Sequence, residues 1–83
     1  MKENLVNIGY GNVVVANRIV SIITPGSSPI RRFKEDAEKI GKLINATHGR
    51  KTRAIIITDS DHVILSAVQP DTICQRILQK QSE

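Results

Sequence analysis

Apolar side chains along this chain fall into two rhythms. Short β-branched runs at residues 5–8, 13–16 and 19–24 predict three strands. Gly9-Tyr10-Gly11 separates the first two as a turn, and Asn17-Arg18 forms a bend before the third. Pro25-Gly26-Ser27-Ser28-Pro29 breaks the pattern and predicts a helix start, with Ser28 as cap and Pro29 at the first helical position. Beyond it Ile30, Phe33, Ala37, Ile40 and Ile44 recur at helical spacing, one apolar stripe along a helix that Gly41 weakens. Residues 43–46 read as a brief strand. Residues 54–58 and 63–68 are almost unbroken apolar runs joined by Asp59-Ser60-Asp61, whose side chains bond their own backbone readily; they predict a rigid, buried hairpin. Pro70 opens a last helix with Ile73, Cys74, Ile77 and Leu78 as its stripe, and residues 79–83 are expected to fray. No repeat, linker or low-complexity segment divides the chain. Residues 1–83 therefore read as one α+β domain: small, antiparallel-rich sheet structure with two amphipathic helices.

Composition sharpens this picture in three ways. Tyr10 and Phe33 are the only aromatic residues of the Phe, Trp and Tyr class, so the core must be aliphatic. A chain of 83 residues buries a little over ~60% of its unfolded surface and often gains stability by self-association, which makes a homo-oligomer an expectation. Cys74 is the single cysteine, so no intramolecular disulfide or multi-cysteine metal site can form, and its place on the last apolar stripe predicts a small buried hydrophobe. No apolar run follows the amino terminus and no stretch is long enough to span a bilayer, from which a cytoplasmic protein is expected.

Charge brings in function. Twelve Lys and Arg residues against eight Asp and Glu give a net charge of +4, a bias that suits an acidic partner such as nucleic acid, or simple solubility. The polar face of the first helix is largely self-neutralising, because Arg31–Glu35, Arg32–Asp36, Lys34–Glu38 and Glu38–Lys42 stand four residues apart. Arg31 and Arg32 can still project toward a partner. Gly49-Arg50-Lys51-Thr52-Arg53 packs three cations into five residues directly before the buried hairpin, and Arg18 adds a fourth cation in a bend. A basic loop on a rigid hairpin is either a solvated rim or positive charge held in place for a polyanion. Arginine forks grip phosphate bidentately and lysine supplies a point charge. Scarce aromatic residues argue against a single-strand stacking platform and for the backbone of a duplex, recognised by shape and bending.

Competing chemistry is weaker. Asp59, Asp61 and His62 invite a metal reading, but a hairpin turn needs Asp and Ser for itself, and adjacent strand residues point to opposite faces. Gly9-Tyr10-Gly11 lacks the third glycine of a dinucleotide fingerprint, since Val14 stands there. Cys74, His48 and His62 lie in different elements with no orienting partner suggested, so no catalytic set assembles and no cofactor is implied.

Several blocks carry a family resemblance: Asn7-Ile8-Gly9-Tyr10-Gly11-Asn12, Ala16-Asn17-Arg18-Ile19, Pro29-Ile30-Arg31-Arg32, Gly41-Lys42-Leu43-Ile44, Ala46-Thr47, Gly49-Arg50, Thr52-Arg53-Ala54, and the run from Asp59 to Pro70. With these the chain resembles the RemA family of extracellular-matrix regulators of Bacillus-type bacteria over nearly its whole length. The resemblance implies a DNA-binding transcriptional regulator that activates biofilm-matrix operons, a subunit comparable with LytTR-type domains, and assembly into rings. It maps the family's DNA-contact arginines onto Arg18 and Arg50. A second arginine is usual where this chain has Lys51, an aromatic is common where it has His48, and Pro29 matches a position that matters in the family.

The expected protein is thus a ring-forming regulator that binds double-stranded DNA through Arg18, Arg50 and Lys51, with Arg53, Arg31 and Arg32 contributing, without cofactor, metal, membrane or small-molecule substrate, and located with the nucleoid. The alternative is a self-assembling structural or adaptor protein that binds protein partners and no DNA.

Overall fold

The computed structural model describes residues 4–81. Strand β1 (Leu5–Gly9) turns back on β2 (Asn12–Val15), and a 3-10 turn at Ala16–Arg18 leads into β3 (Ile19–Ile23). Helix α1 (Ser28–Lys39) follows, then β4 (Leu43–Asn45), β5 (Ala54–Thr58), β6 (Val63–Ser66) and helix α2 (Pro70–Gln81). β1 and β2 form a two-stranded antiparallel sheet, while the other four strands form a sheet ordered β3-β5-β6-β4. The α+β class expected from the sequence is what the chain adopts.

The centre of the larger sheet is the β5–β6 hairpin, paired from Ala54↔Ser66 to Ile57↔Val63. Every residue of β6 is buried, as are all of β5 except the half-buried Ile57. A strand pair this apolar must be covered on both faces. Ala54, Ile56 and Ile64 point to one face, where Val6, Ile8 and Ile73 from β1 and α2 complete a core. Ile55, Val63 and Leu65 point to the other, under Ala37 and Ile30 of α1. The two sheets are tied by Ser66, fully buried, whose hydroxyl donates to the Ile8 carbonyl at 2.8 Å and accepts from the Val68 amide at 3.1 Å.

β4 runs parallel to β6 (Leu43↔Val63, Asn45↔Leu65), a pairing the sequence did not announce. The parallel strand follows from α1, which carries the chain back along the sheet after β3. β3 is an edge strand whose register with β5 shifts between Ile19 and Ser21, leaving Val20 64% exposed in the irregularity.

Several local expectations are corrected. Ser27, not Ser28, caps α1, its side chain accepting from the Ile30 amide, and Pro29 falls in the first turn. The helix ends at Lys39 in a Schellman motif: the Gly41 amide donates to the Glu38 carbonyl and the Lys42 amide to that of Ala37. Ile40 and Ile44 therefore leave the helical stripe and are 70% and 46% exposed. None of the four-apart ion pairs expected on α1 closes among the described residues, where the one ion pair is Arg18–Asp59. Cys74 is exposed, as is Leu78, because α2 lies on β1 through Ile73 and Ile77 instead. α2 continues through Gln81, past the expected fraying point at residue 79; residues 82–83, and the start at residues 1–3, lie outside the described residues.

Ser66→Ala removes the link between the sheets and strands the Ile8 carbonyl and Val68 amide without a partner. It is expected to destabilise the fold by about 1–3 kcal/mol in urea unfolding. A loss below about half a kcal/mol would show that the two sheets do not depend on this hydroxyl.

Candidate nucleic-acid interface

β5 has four apolar residues followed by a buried threonine, so charge is excluded from its body and collects at its ends. At its amino-terminal end stand Arg50, Lys51 and Arg53, all exposed and, among the described residues, free of any side-chain hydrogen bond or ion pair. The Arg53 backbone is fixed, its amide donating to the Ser66 carbonyl at 2.8 Å. β3 ends at this same end of the sheet (Ile23↔Ile55), and α1 starts from there. Exposed Arg31 and Arg32, in the early turns of α1, are thus on the side of the basic loop.

Arg18 is elsewhere. Ile19 pairs with Thr58 and the Asp59 amide donates to the Arg18 carbonyl at 2.9 Å, which puts Arg18 at the carboxy-terminal end of β5. The length of the strand, roughly 13 Å at the usual rise per residue, separates the two cationic groups within one subunit. Arg18 Nε also donates to Asp59 Oδ1 at 2.9 Å, with side chains 60% and 49% exposed, so half of its fork is engaged and the Nη edge remains open. One subunit therefore does not bring Arg18 together with Arg50 and Lys51.

The loop itself is built on Asn45 and Thr47. The Asn45 carboxamide oxygen accepts from the buried Thr47 amide at 3.0 Å and from its hydroxyl at 2.6 Å. The Thr47 carbonyl then accepts from the Arg50 amide at 3.0 Å, closing a turn whose central residues His48 and Gly49 have φ of 55° and 78°. Positive φ at both central positions is the type I′ pattern. The β1–β2 connection repeats it, with Tyr10 at 55° and Gly11 at 80°. The two turns touch: the Tyr10 and His48 rings stack, centroids 5.1 Å apart and planes inclined by 13°. Asn12 reinforces the approach, its side-chain amide donating to the Gly9 carbonyl at 3.0 Å and the Ala46 carbonyl at 3.4 Å. A bulky residue with positive φ costs on the order of 1 kcal/mol or more, so this contact is kept against local strain. Sequence reasoning missed the stack; its only trace was the pair of X-Gly dipeptides, Tyr10-Gly11 and His48-Gly49, which favour such turns.

Residues 59–62 serve the hairpin turn. Thr58, Ser60 and His62 form a side-chain chain, with Thr58 Oγ1 2.9 Å from Ser60 Oγ and Ser60 Oγ 2.6 Å from His62 Nδ1. No group of three or more His, Cys, Asp or Glu residues that could hold a metal occurs among the described residues. A cavity of about 310 Å³ opens between α1 and the hairpin, lined by Phe33, Asp36, Ala37, Ile40, Ile57, Asp61 and Val63. Among the described residues no helix is long and apolar enough to cross a membrane.

Fold and site together define a small α+β protein whose loop at residues 49–53 carries three exposed cations without ion pairs among the described residues. The chain belongs to the RemA-like family, whose model, described as extracellular matrix regulatory protein A-like, matches residues 5–77. A relative from Thermodesulfovibrio yellowstonii is 66% identical over 73 residues, 88% of this chain and 86% of its own length. One from Thermosipho melanesiensis is 63% identical over 75 residues, 90% and 80% of the two chains. One from Brevibacillus brevis is 58% identical over 83 residues, all of this chain and 96% of the relative. Their names say regulatory protein and nothing of a ligand.

Asp59→Asn tests whether the Arg18 pair matters to the fold. For an ion pair this exposed, the unfolding free energy is expected to change by less than about 1 kcal/mol in urea titrations; a larger loss would make the pair a structural element.

Proposed function

We propose that the protein is a DNA-binding transcriptional regulator that assembles into a homo-oligomeric ring and grips duplex DNA through cations repeated from copy to copy. The observation that carries this reading is the loop at residues 49–53: three exposed cations without partners among the described residues, on a backbone held by the buried Thr47 and Ser66. Charge that serves only solubility needs no such mounting. Arg31 and Arg32 widen the same surface. Lys51 contributes charge without a fork.

The separation of Arg18 from this loop supports repetition. In a head-to-tail assembly opposite ends of one element meet across the contact, and head-to-tail contacts are the ones that close into rings. Arg18 of one copy then stands beside residues 49–53 of the next and offers its open Nη edge to the same duplex. Apolar groups left exposed beside the cavity, Phe33 at 42% and Ile40 at 70%, give such a contact something to bury. The subunit takes the role of a LytTR-like domain, the protein acts at the nucleoid in the cytoplasm, and, following the family's description, the genes it activates are those of the extracellular matrix.

Three phosphate contacts per copy imply a log–log salt slope near −2.7, about a forty-fold loss of affinity between 50 and 200 mM salt. Arg50→Ala is expected to weaken duplex binding about tenfold or more and to make the slope shallower by ~0.9 for each copy engaged, with the oligomer mass unchanged in light scattering. Arg18→Ala should weaken binding likewise. If both variants bind as the parent does, another surface is responsible; if the parent shows no salt-dependent DNA affinity, the self-assembling adaptor reading takes its place.

A further inference from the structure

The Tyr10–His48 stack has no part in the core and no explanation in turn formation. Tyr10 is 51% exposed and His48 is exposed, so the rings bury little apolar surface. Turns with two positive-φ residues are best made with Gly, Asn or Asp, and here both turns place a ring at the first such position. What the stack does achieve is mechanical. Only Gly49 separates His48 from Arg50, inside the turn that the Arg50 amide closes on the Thr47 carbonyl, so a shift of the His48 ring is passed to the base of the cationic loop. Clamping the His48 ring against Tyr10 ties the loop to a second, independently anchored hairpin, which Asn12 holds to the Ala46 carbonyl at 3.4 Å.

We propose that Tyr10 and His48 are positioning residues for the cationic loop: their stack holds Arg50 and Lys51 in the direction from which they meet phosphate. The inference rests on the DNA-binding reading above, and names the device that orients its surface. Strain kept at both ring-bearing positions is the signature of a contact retained for function, because a residue chosen for stability would relieve it.

Glycine substitution separates the two roles, since Tyr10→Gly and His48→Gly remove a ring while removing the strain. Both variants are expected to melt at or above the parent temperature in circular dichroism, yet bind duplex DNA about tenfold more weakly, with a log–log salt slope shallower by about one contact per copy. Tyr10→Phe and His48→Tyr retain a stacking partner and should stay within about threefold of the parent. Glycine variants that bind like the parent with an unchanged slope would overturn the proposal. So would glycine variants whose melting temperature and affinity fall together, which would make the stack a fold element. Arg50→Ala in the same titration reports on the DNA reading by itself. Should neither the parent nor Arg50→Ala bind in a salt-dependent way, that reading fails, and trypsin decides the stack: faster cleavage after Arg50 and Lys51 in the glycine variants upholds the clamp, and equal rates reject it.

Discussion

The constraint from which the rest follows is the apolar character of β5. Ala54, Ile55 and Ile56 are at most 2% exposed, and their side chains alternate between two separate cores. A strand sealed on both faces dictates the layers: α1 on one side, the β1–β2 hairpin and α2 on the other. It also dictates where charge can live. Each ionised group must stand beyond a strand end, because burying it unpaired within the sheet would cost several kcal/mol. Arg53 on one side and Asp59 on the other are the first residues past the apolar or buried stretch, with Arg50 and Lys51 close to the first and Arg18 paired with the second. The division of the cations between two ends is thus a result of how the core is made, and it is what turns a question about one subunit into a question about assembly.

Much of the architecture was legible because strong local signals agreed with the tertiary outcome. The unbroken run from Ala54 to Thr58, the Pro70 helix start and the turn at Gly9-Tyr10-Gly11 all stand where the pattern put them, while the partner strand expected over residues 63–68 stops at Ser66. The failures have a common physical cause. Ile40 and Ile44 keep helical spacing, yet the hydrogen bonds of Gly41 and Lys42 to Glu38 and Ala37 end the helix at Lys39, before either of them, and period alone cannot register a stop. Cys74 sits among apolar neighbours in sequence, but a helix resting on a small two-stranded sheet has room for only a narrow buried stripe. The parallel pairing of β4 with β6 depends on which way α1 returns across the sheet, a long-range property no window of sequence contains.

For the site, the sequence could name cations but not their surroundings. Arg18 and Arg50 look alike as letters; one shares its fork with a carboxylate 41 residues away and the other is open to solvent. The Tyr10–His48 contact joins two turns 38 positions apart, by the difference of their numbers, and is visible only once both turns are folded. Tertiary structure here adds less to the inventory of residues than to their surroundings: it says which charged groups are engaged and which are open to solvent.

The irregularity at Val20 has a consequence for what kind of polymer this chain can become. An outer strand of isoleucine and valine, left straight, would accept another copy's strand along its full length, and that copy would accept the next, growing into an endless ribbon. The break in register between Ile19 and Ser21 bends that margin and spoils its ladder of donors and acceptors. A margin spoiled in this way no longer offers a second copy an unbroken backbone ladder, which closes one common route to open-ended growth.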